Sequence, residues 1–107
     1  MNLTDDDREK IYKACLDTNA EKIIITHGTD TMIDTARKIS DIKCKVIILT
    51  GAMRPERFSN SDADFNLGVA IGVLNIIKKG VYIAMNGRIF PFDKVKRDVS
   101  TGQFVEI

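Results

Sequence analysis

An α/β fold built on a mainly parallel sheet is predicted by three features of the sequence. These are short apolar runs rich in β-branched residues, helical periodicity between successive runs, and polar loops that leave the runs in one direction. Thr4-Asp5-Asp6-Asp7 resembles a capping box with Asp in place of Glu, and its acidic side chains suit the positive end of a helix dipole. The helix it opens carries Ile11, Ala14 and Cys15 on one stripe and ends near Thr18. Lys22-Ile23-Ile24-Ile25-Thr26 is too compact for a helix and does not alternate, as expected of a strand covered on both faces. His27-Gly28-Thr29-Asp30-Thr31 follows as a tight polar loop, and Met32, Ala36 and Ile39 mark a second helix. Val46-Ile47-Ile48-Leu49-Thr50 repeats the buried-strand pattern and ends in the loop Gly51-Ala52-Met53-Arg54-Pro55.

Beyond the polar stretch 56–60, Ser61 with Asp64 predicts another helix start, running to about Ile77. Its apolar residues go nearly all the way round, which predicts burial on more than one side. Gly80 ends the helix, and Val81 to Met85 reads as a third strand. Asn86-Gly87 is a type I′ turn signal that sends Arg88-Ile89-Phe90 back antiparallel. The segment after Pro91 has no assignable pattern. In a doubly wound sheet, ligands are expected beyond the carboxyl ends of the strands, where both polar loops lie.

At 107 residues the chain is expected to form one domain over 1–107 with no second folded unit. Hydrophobic residues at 44% and charged residues at 29% describe an ordinary globular balance and exclude disordered or fibrous classes. Sixteen Lys and Arg against fifteen Asp and Glu leave no field for nucleic acid or an anionic membrane, so a small-molecule partner is expected. The N-terminus has neither a basic start nor a signal-length apolar stretch, and a cytoplasmic location is read from that. Cys15 and Cys44 have no metal-site or redox-pair spacing and are expected to be reduced, buried thiols.

Thr29 and Asp30 alone would read as helix caps. They do not stand alone. Ile25 to Met32, with its HGTDT core, resembles the second signature of the bacterial-type L-asparaginase and glutaminase family. Val46 to Pro55 resembles that family's next strand and GAMRP loop, and Ser61-Asp62-Ala63-Asp64-Phe65-Asn66-Leu67 resembles the polar turn and helix start that follow. Gly80 to Asn86 fits the strand after that helix. More loosely, the segment at Val95 and Lys96 fits the place where the family carries an essential lysine.

The resemblance implies a flavodoxin-like, doubly wound sheet with flanking helices and a C-terminal β-hairpin. It also implies hydrolysis of the side-chain amide of L-asparagine to L-aspartate and ammonia, without metal or organic cofactor. Carried over by motif, Thr29 is the family's second threonine and Asp30 the carboxylate that holds the substrate's α-amino group. Lys96 is the activating lysine, with Lys94 as fallback, and the backbone at Gly28, Ala52 and Met53 contacts substrate. A hydroxyl is a poor nucleophile at neutral pH, and a nearby amine or paired base makes it usable. Backbone N–H groups at the start of the following helix are positioned to stabilise an oxyanion. His27 is expected to be structural.

No TGG occurs in the chain, so the family's threonine-bearing first loop has no counterpart, and the domain is expected to lack its first strand and lid. A strand edge and the 61–77 helix would then be exposed, and a homo-oligomer is expected. A competing expectation is a non-catalytic remnant that binds its own copies or an amino acid without turnover. A flavin- or phosphate-binding module is a weaker alternative, because no Trp is present and no Tyr lies near either polar loop. An archaeal-type tRNA-dependent amidotransferase subunit shares the signature, but the chain shows neither the added length nor the basic surface expected of one.

Overall fold

The structure, a computed structural model, describes residues 3–53 and 61–107. Helix α1 (Asp5–Asp17) is opened by a complete capping box: the Asp7 N–H donates to Thr4 Oγ1 at 3.1 Å and the Thr4 N–H donates to Asp7 Oδ2 at 3.0 Å. Its last turn carries no basic residue of its own. The buried Lys45 supplies the missing cation from across the fold, donating through Nζ to the carbonyls of Cys15 and Thr18.

Strands β1 (Lys22–Thr26), β2 (Val46–Thr50) and β3 (Gly80–Met85) are parallel and adjacent, and β4 (Arg88–Pro91) returns antiparallel beside β3. The β3–β4 turn has Asn86 at φ 55° and Gly87 at φ 72°, both positive as a type I′ turn requires. Side chains alternate across β2. Ile47 and Leu49 face one core with Met32, Ala36 and Ile39 of the α2 (Met32–Lys38) region, while Val46 and Ile48 face the other with Ala70 of α3 (Ala63–Val73). Each fully buried Ile, Leu or Phe adds about 1.5–3 kcal/mol to such a core. The steps from β1 to β2 and from β2 to β3 run the same way, yet α2 and α3 lie on opposite faces. The two crossovers therefore have opposite hands, one of them the rare left-handed kind.

Four expectations are corrected or completed. Helix α3 starts after Asp62, not Ser61, and its α-helical part ends at Val73, with turns beyond. Only Asn66 and Ala70 of α3 are fully buried; Phe65 and Ile71, with Ile76 beyond it, are exposed, so the all-round apolar pattern marks an uncovered face. Cys15 is buried but Cys44 is exposed in the polar turn before β2. The unassigned segment forms a second hairpin, β5 (Val95–Arg97) with β6 (Phe104–Glu106), whose Val95 and Phe104 enter the same core as α2. Among the described residues, strand β1 pairs only with β2, and Ile23, Ile24 and Ile25 are half-buried along it. Among the described residues, no helix is long and apolar enough to cross a membrane.

Candidate functional site

Parallel pairing sets Thr26 opposite Thr50, so β1 and β2 end level and release their loops side by side. The His27 N–H donates to the Thr50 carbonyl at 2.8 Å, extending the ladder one residue into the loops. Gly51 is where the loops press together. A Cβ there would collide with the His27 carbonyl oxygen and lie 3.0 Å from Met32 Cε, so only glycine fits. Thr50 Oγ1 donates to the Ala84 carbonyl at 2.9 Å and ties β2 to β3 beneath the loops.

Above this floor lies a cavity of about 270 Å³, walled by Thr26, His27 and Gly28 on one side, Thr50, Gly51 and Ala52 on the next, and Ala63, Asp64 and Leu67 of α3. A second, more apolar cavity of about 350 Å³ opens behind Thr26 to Gly28, against Leu3 and Ile11. Gly28 and Ala52 thus line one cavity from adjacent sides. Thr29 and Asp30 stand immediately beyond Gly28, outside that wall, with Thr29 half-buried and Asp30 exposed.

Helix capping does not account for these two side chains. The N-cap of α2 is Thr31, it makes no side-chain cap bond, and Thr29 contributes only its carbonyl, accepting from the Met32 N–H at 3.5 Å. The seven-residue α2 is a short helix, so little of its dipole reaches the loop. His27 is held on both ring nitrogens. Nδ1 lies 2.6 Å from the Gly28 carbonyl, which can only accept, so Nδ1 carries a proton; Nε2 meets Thr35 Oγ1 at 2.8 Å. Ring and loop are locked together, as a structural histidine requires.

Met53 belongs to the second loop. Its N–H donates to Asp62 Oδ2 at 3.1 Å. The same carboxylate oxygen accepts from Asn66 Nδ2 at 2.9 Å, and Nδ2 also donates to the Gly51 carbonyl at 2.9 Å. Asn66 is buried and therefore anchors the 51–53 loop to α3. Sequence reasoning finds it only as part of a helix start. Its signal is an amide in the midst of an otherwise apolar helical surface. Arg54 and Pro55 lie outside the described residues.

The cation beside Asp30 is not the predicted Lys96. Lys96 is exposed and lies on the opposite face of β5 from Val95 and Arg97, because side chains alternate along a strand. Arg97 reaches the site instead, its Nη1 lying 3.5 Å from Asp30 Oδ1. Its Nε donates to the Gly102 carbonyl at 2.7 Å, and the guanidinium stacks 5.0 Å above the Phe104 ring. Lys94, the fallback, is exposed and outside β5. Of the predicted residues, Gly28 and Ala52 line one cavity, Thr29, Asp30 and Met53 lie in the same two loops outside its lining, and the cation that reaches Asp30 is Arg97 rather than Lys96.

Comparison with known proteins points the same way. The family model described as Asparaginase, N-terminal matches residues 2–103. A glutamyl-tRNA(Gln) amidotransferase subunit from Methanococcus vannielii is 43% identical over 76 residues, covering 69% of this chain and 18% of that protein. A glutaminase-asparaginase from Acinetobacter glutaminasificans is 41% identical over 85 residues, covering 75% of this chain and 24% of that protein. The solved thermostable L-asparaginase from Thermococcus kodakarensis superimposes with a TM-score of 0.88 at 30% identity, over 98% of this chain and 34% of that one. The chain thus spans about a fifth to a quarter of the length of these two relatives and a third of the solved chain.

Proposed function

The chain belongs to the asparaginase family, whose N-terminal domain it matches almost end to end, and from that premise we propose that it hydrolyses the side-chain amide of L-asparagine. Water is consumed, and L-aspartate and ammonia are released. The observation that carries this reading is the one cavity that Gly28 and Ala52 both line, with Thr29 and Asp30 next along the loop from Gly28 and neither side chain spent on capping α2. Asp30 holds the substrate's α-ammonium, Thr29 presents its hydroxyl to the amide, and the backbone at Gly28, Ala52 and Met53 brackets the amide group. No metal or organic cofactor enters the scheme.

The same segment is similar to an amidotransferase subunit and to a glutaminase-asparaginase, so L-glutamine is the substrate to test beside L-asparagine. The decisive assay is ammonia release from both amides by the purified chain, with Thr29→Ala as control. Turnover that disappears in the variant supports Thr29 as nucleophile or essential partner. Turnover in neither protein refutes hydrolysis by this chain.

A second reading, binding without turnover, is favoured by one observation: the cation beside Asp30 is an arginine. Arginine side chains do not give up their proton in proteins, and a group that stays charged cannot serve as a base toward Thr29. Two further readings accompany the proposal. Copies associate through the outer face of α3, where Phe65 and Ile71 are exposed. The exposed, unpaired thiol of Cys44 suits a reducing compartment such as the cytoplasm.

A further inference from the structure

Arg97 arrives from the second hairpin, 67 positions along the chain from Asp30, and is oriented by groups of this chain. Three contacts aim it: the Gly102 carbonyl takes Nε, the Phe104 ring supports the guanidinium plane, and Asp30 meets Nη1. Nη2 has no hydrogen-bond partner among the described residues. Gly102 leaves space beside it, since a side chain there would lie 3.5 Å from Nη2 and 3.9 Å from Met53 Cε. Gly102 also has φ 75°, where glycine alone is unstrained.

The ion pair itself is a poor structural fastening. At 3.5 Å it sits at the long limit of a hydrogen bond, and the Asp30 side chain is 90% exposed against 29% for Arg97. What it offers is a fixed cation beside an open anion, two residues along the loop from Gly28. An α-amino acid carries the complementary pair, an ammonium and a carboxylate on one carbon.

We propose that Asp30 and Arg97 form a receptor for the zwitterionic head group of an α-amino acid, with Arg97 taking the carboxylate while Asp30 takes the ammonium. This rests on the reading of Asp30 as the ammonium site and adds a partner for the other charge. Arginine suits the task because its planar fork offers two parallel N–H donors to a carboxylate, which lysine does not. Arg97 is thus a binding and specificity residue, and Lys96, across the strand, is not.

The test uses three ligands that share the amide and differ in charge. L-asparagine has both head-group charges, succinamate lacks the ammonium, and β-alaninamide lacks the carboxylate. Calorimetric titration of the full chain is expected to show L-asparagine binding at least roughly tenfold tighter than either single-charge ligand. Arg97→Gln should weaken L-asparagine and succinamate by a similar factor and leave β-alaninamide unchanged. Asp30→Asn should do the reverse, and Arg97→Lys should restore part of the loss.

Equal loss for all three ligands in Arg97→Gln would reduce Arg97 to a structural role and overturn the proposal. So would a wild-type chain that binds β-alaninamide as tightly as L-asparagine, or one that binds no L-asparagine; the ligand comparison on the wild type stands even if a variant unfolds. Binding with the predicted charge preference but without ammonia release upholds the receptor and refutes hydrolysis. Ammonia release with no charge preference does the opposite.

Discussion

Replacing Gly51 by alanine tests the contact that brings the two site loops together. The added methyl would run into the His27 carbonyl oxygen, a backbone atom, and would press on Met32 Cε at 3.0 Å. Met32 is flexible at its tip and can yield, but His27 is tied through its N–H to the Thr50 carbonyl at 2.8 Å. Relief therefore requires the loops to part. Overpacking a tight site costs about 1–3 kcal/mol, and losing the His27–Thr50 bond adds about 1 kcal/mol. Together these make about 2–4 kcal/mol, a large share of the ~5–15 kcal/mol that holds a typical domain.

At about 4 °C per kcal/mol for a domain of this size, thermal denaturation followed by circular dichroism should show Tm falling by roughly 8–16 °C. Gly28→Ala is the control, because nothing lies within 4 Å of a Cβ built there. Its Tm should stay the same or rise slightly, since removing a glycine trims the freedom of the unfolded chain. If Gly51→Ala melts within about 2 °C of the wild type, far short of the expected loss, the two loops do not press together at Gly51 and do not close one cavity between them.

The remaining expectations are simpler. Asn66→Ala removes a buried amide that donates to the Gly51 carbonyl and Asp62; it should cost about 1–3 kcal/mol by urea denaturation and loosen the 51–53 loop. A thiol reagent should modify Cys44 at once in the native protein and Cys15 only on unfolding, with Cys44→Ser abolishing the fast phase; burial raises the Cys15 pKa, a shift partly opposed by Lys45. The Asp7 carboxyl is held below its usual 3.8, first by the Thr4 N–H and then by the Thr4 hydroxyl. Its stabilising contribution is therefore present above 3.8 and lost as pH falls through the lower folded value, and in an NMR titration Thr4→Ala should move Asp7 back toward 3.8.

The parts of the fold legible in the sequence are those set by local chemistry. Runs such as Ile23-Ile24-Ile25 and Val46-Ile47-Ile48-Leu49 can satisfy their burial only within a sheet, and β1 and β2 form where those runs lie. Thr4 with Asp7, and Asn86 with Gly87, prescribe a cap and a turn through hydrogen bonds and φ values that need no distant partner. Cys44 departs from expectation because its exposure follows from the path of the turn before β2, which no periodicity records. The pattern over 61–77 reads as two-sided burial, but apolarity does not say which neighbour is present, and Ile71 faces solvent.

The candidate site divides along the same line. The placement of Gly28, Thr29, Asp30, Ala52 and Met53 in two adjoining loops is legible because each follows a recognisable strand, and two parallel strands that end level must bring such loops together. The cation is not, because it depends on the register of a three-residue strand too short to leave a period in the sequence. Once Val95 is known to be buried, alternation places Arg97 on the core side, and Lys96 must point away. That single step alters the chemistry. A lysine beside Asp30 would be a group able to exchange a proton, whereas Arg97, stacked on Phe104 and bonded to the Gly102 carbonyl, is a fixed charge with a fixed direction. Asp30 is therefore paired with a charge that does not exchange a proton. Any proton that leaves the Thr29 hydroxyl during turnover must go to a group other than the cation beside Asp30.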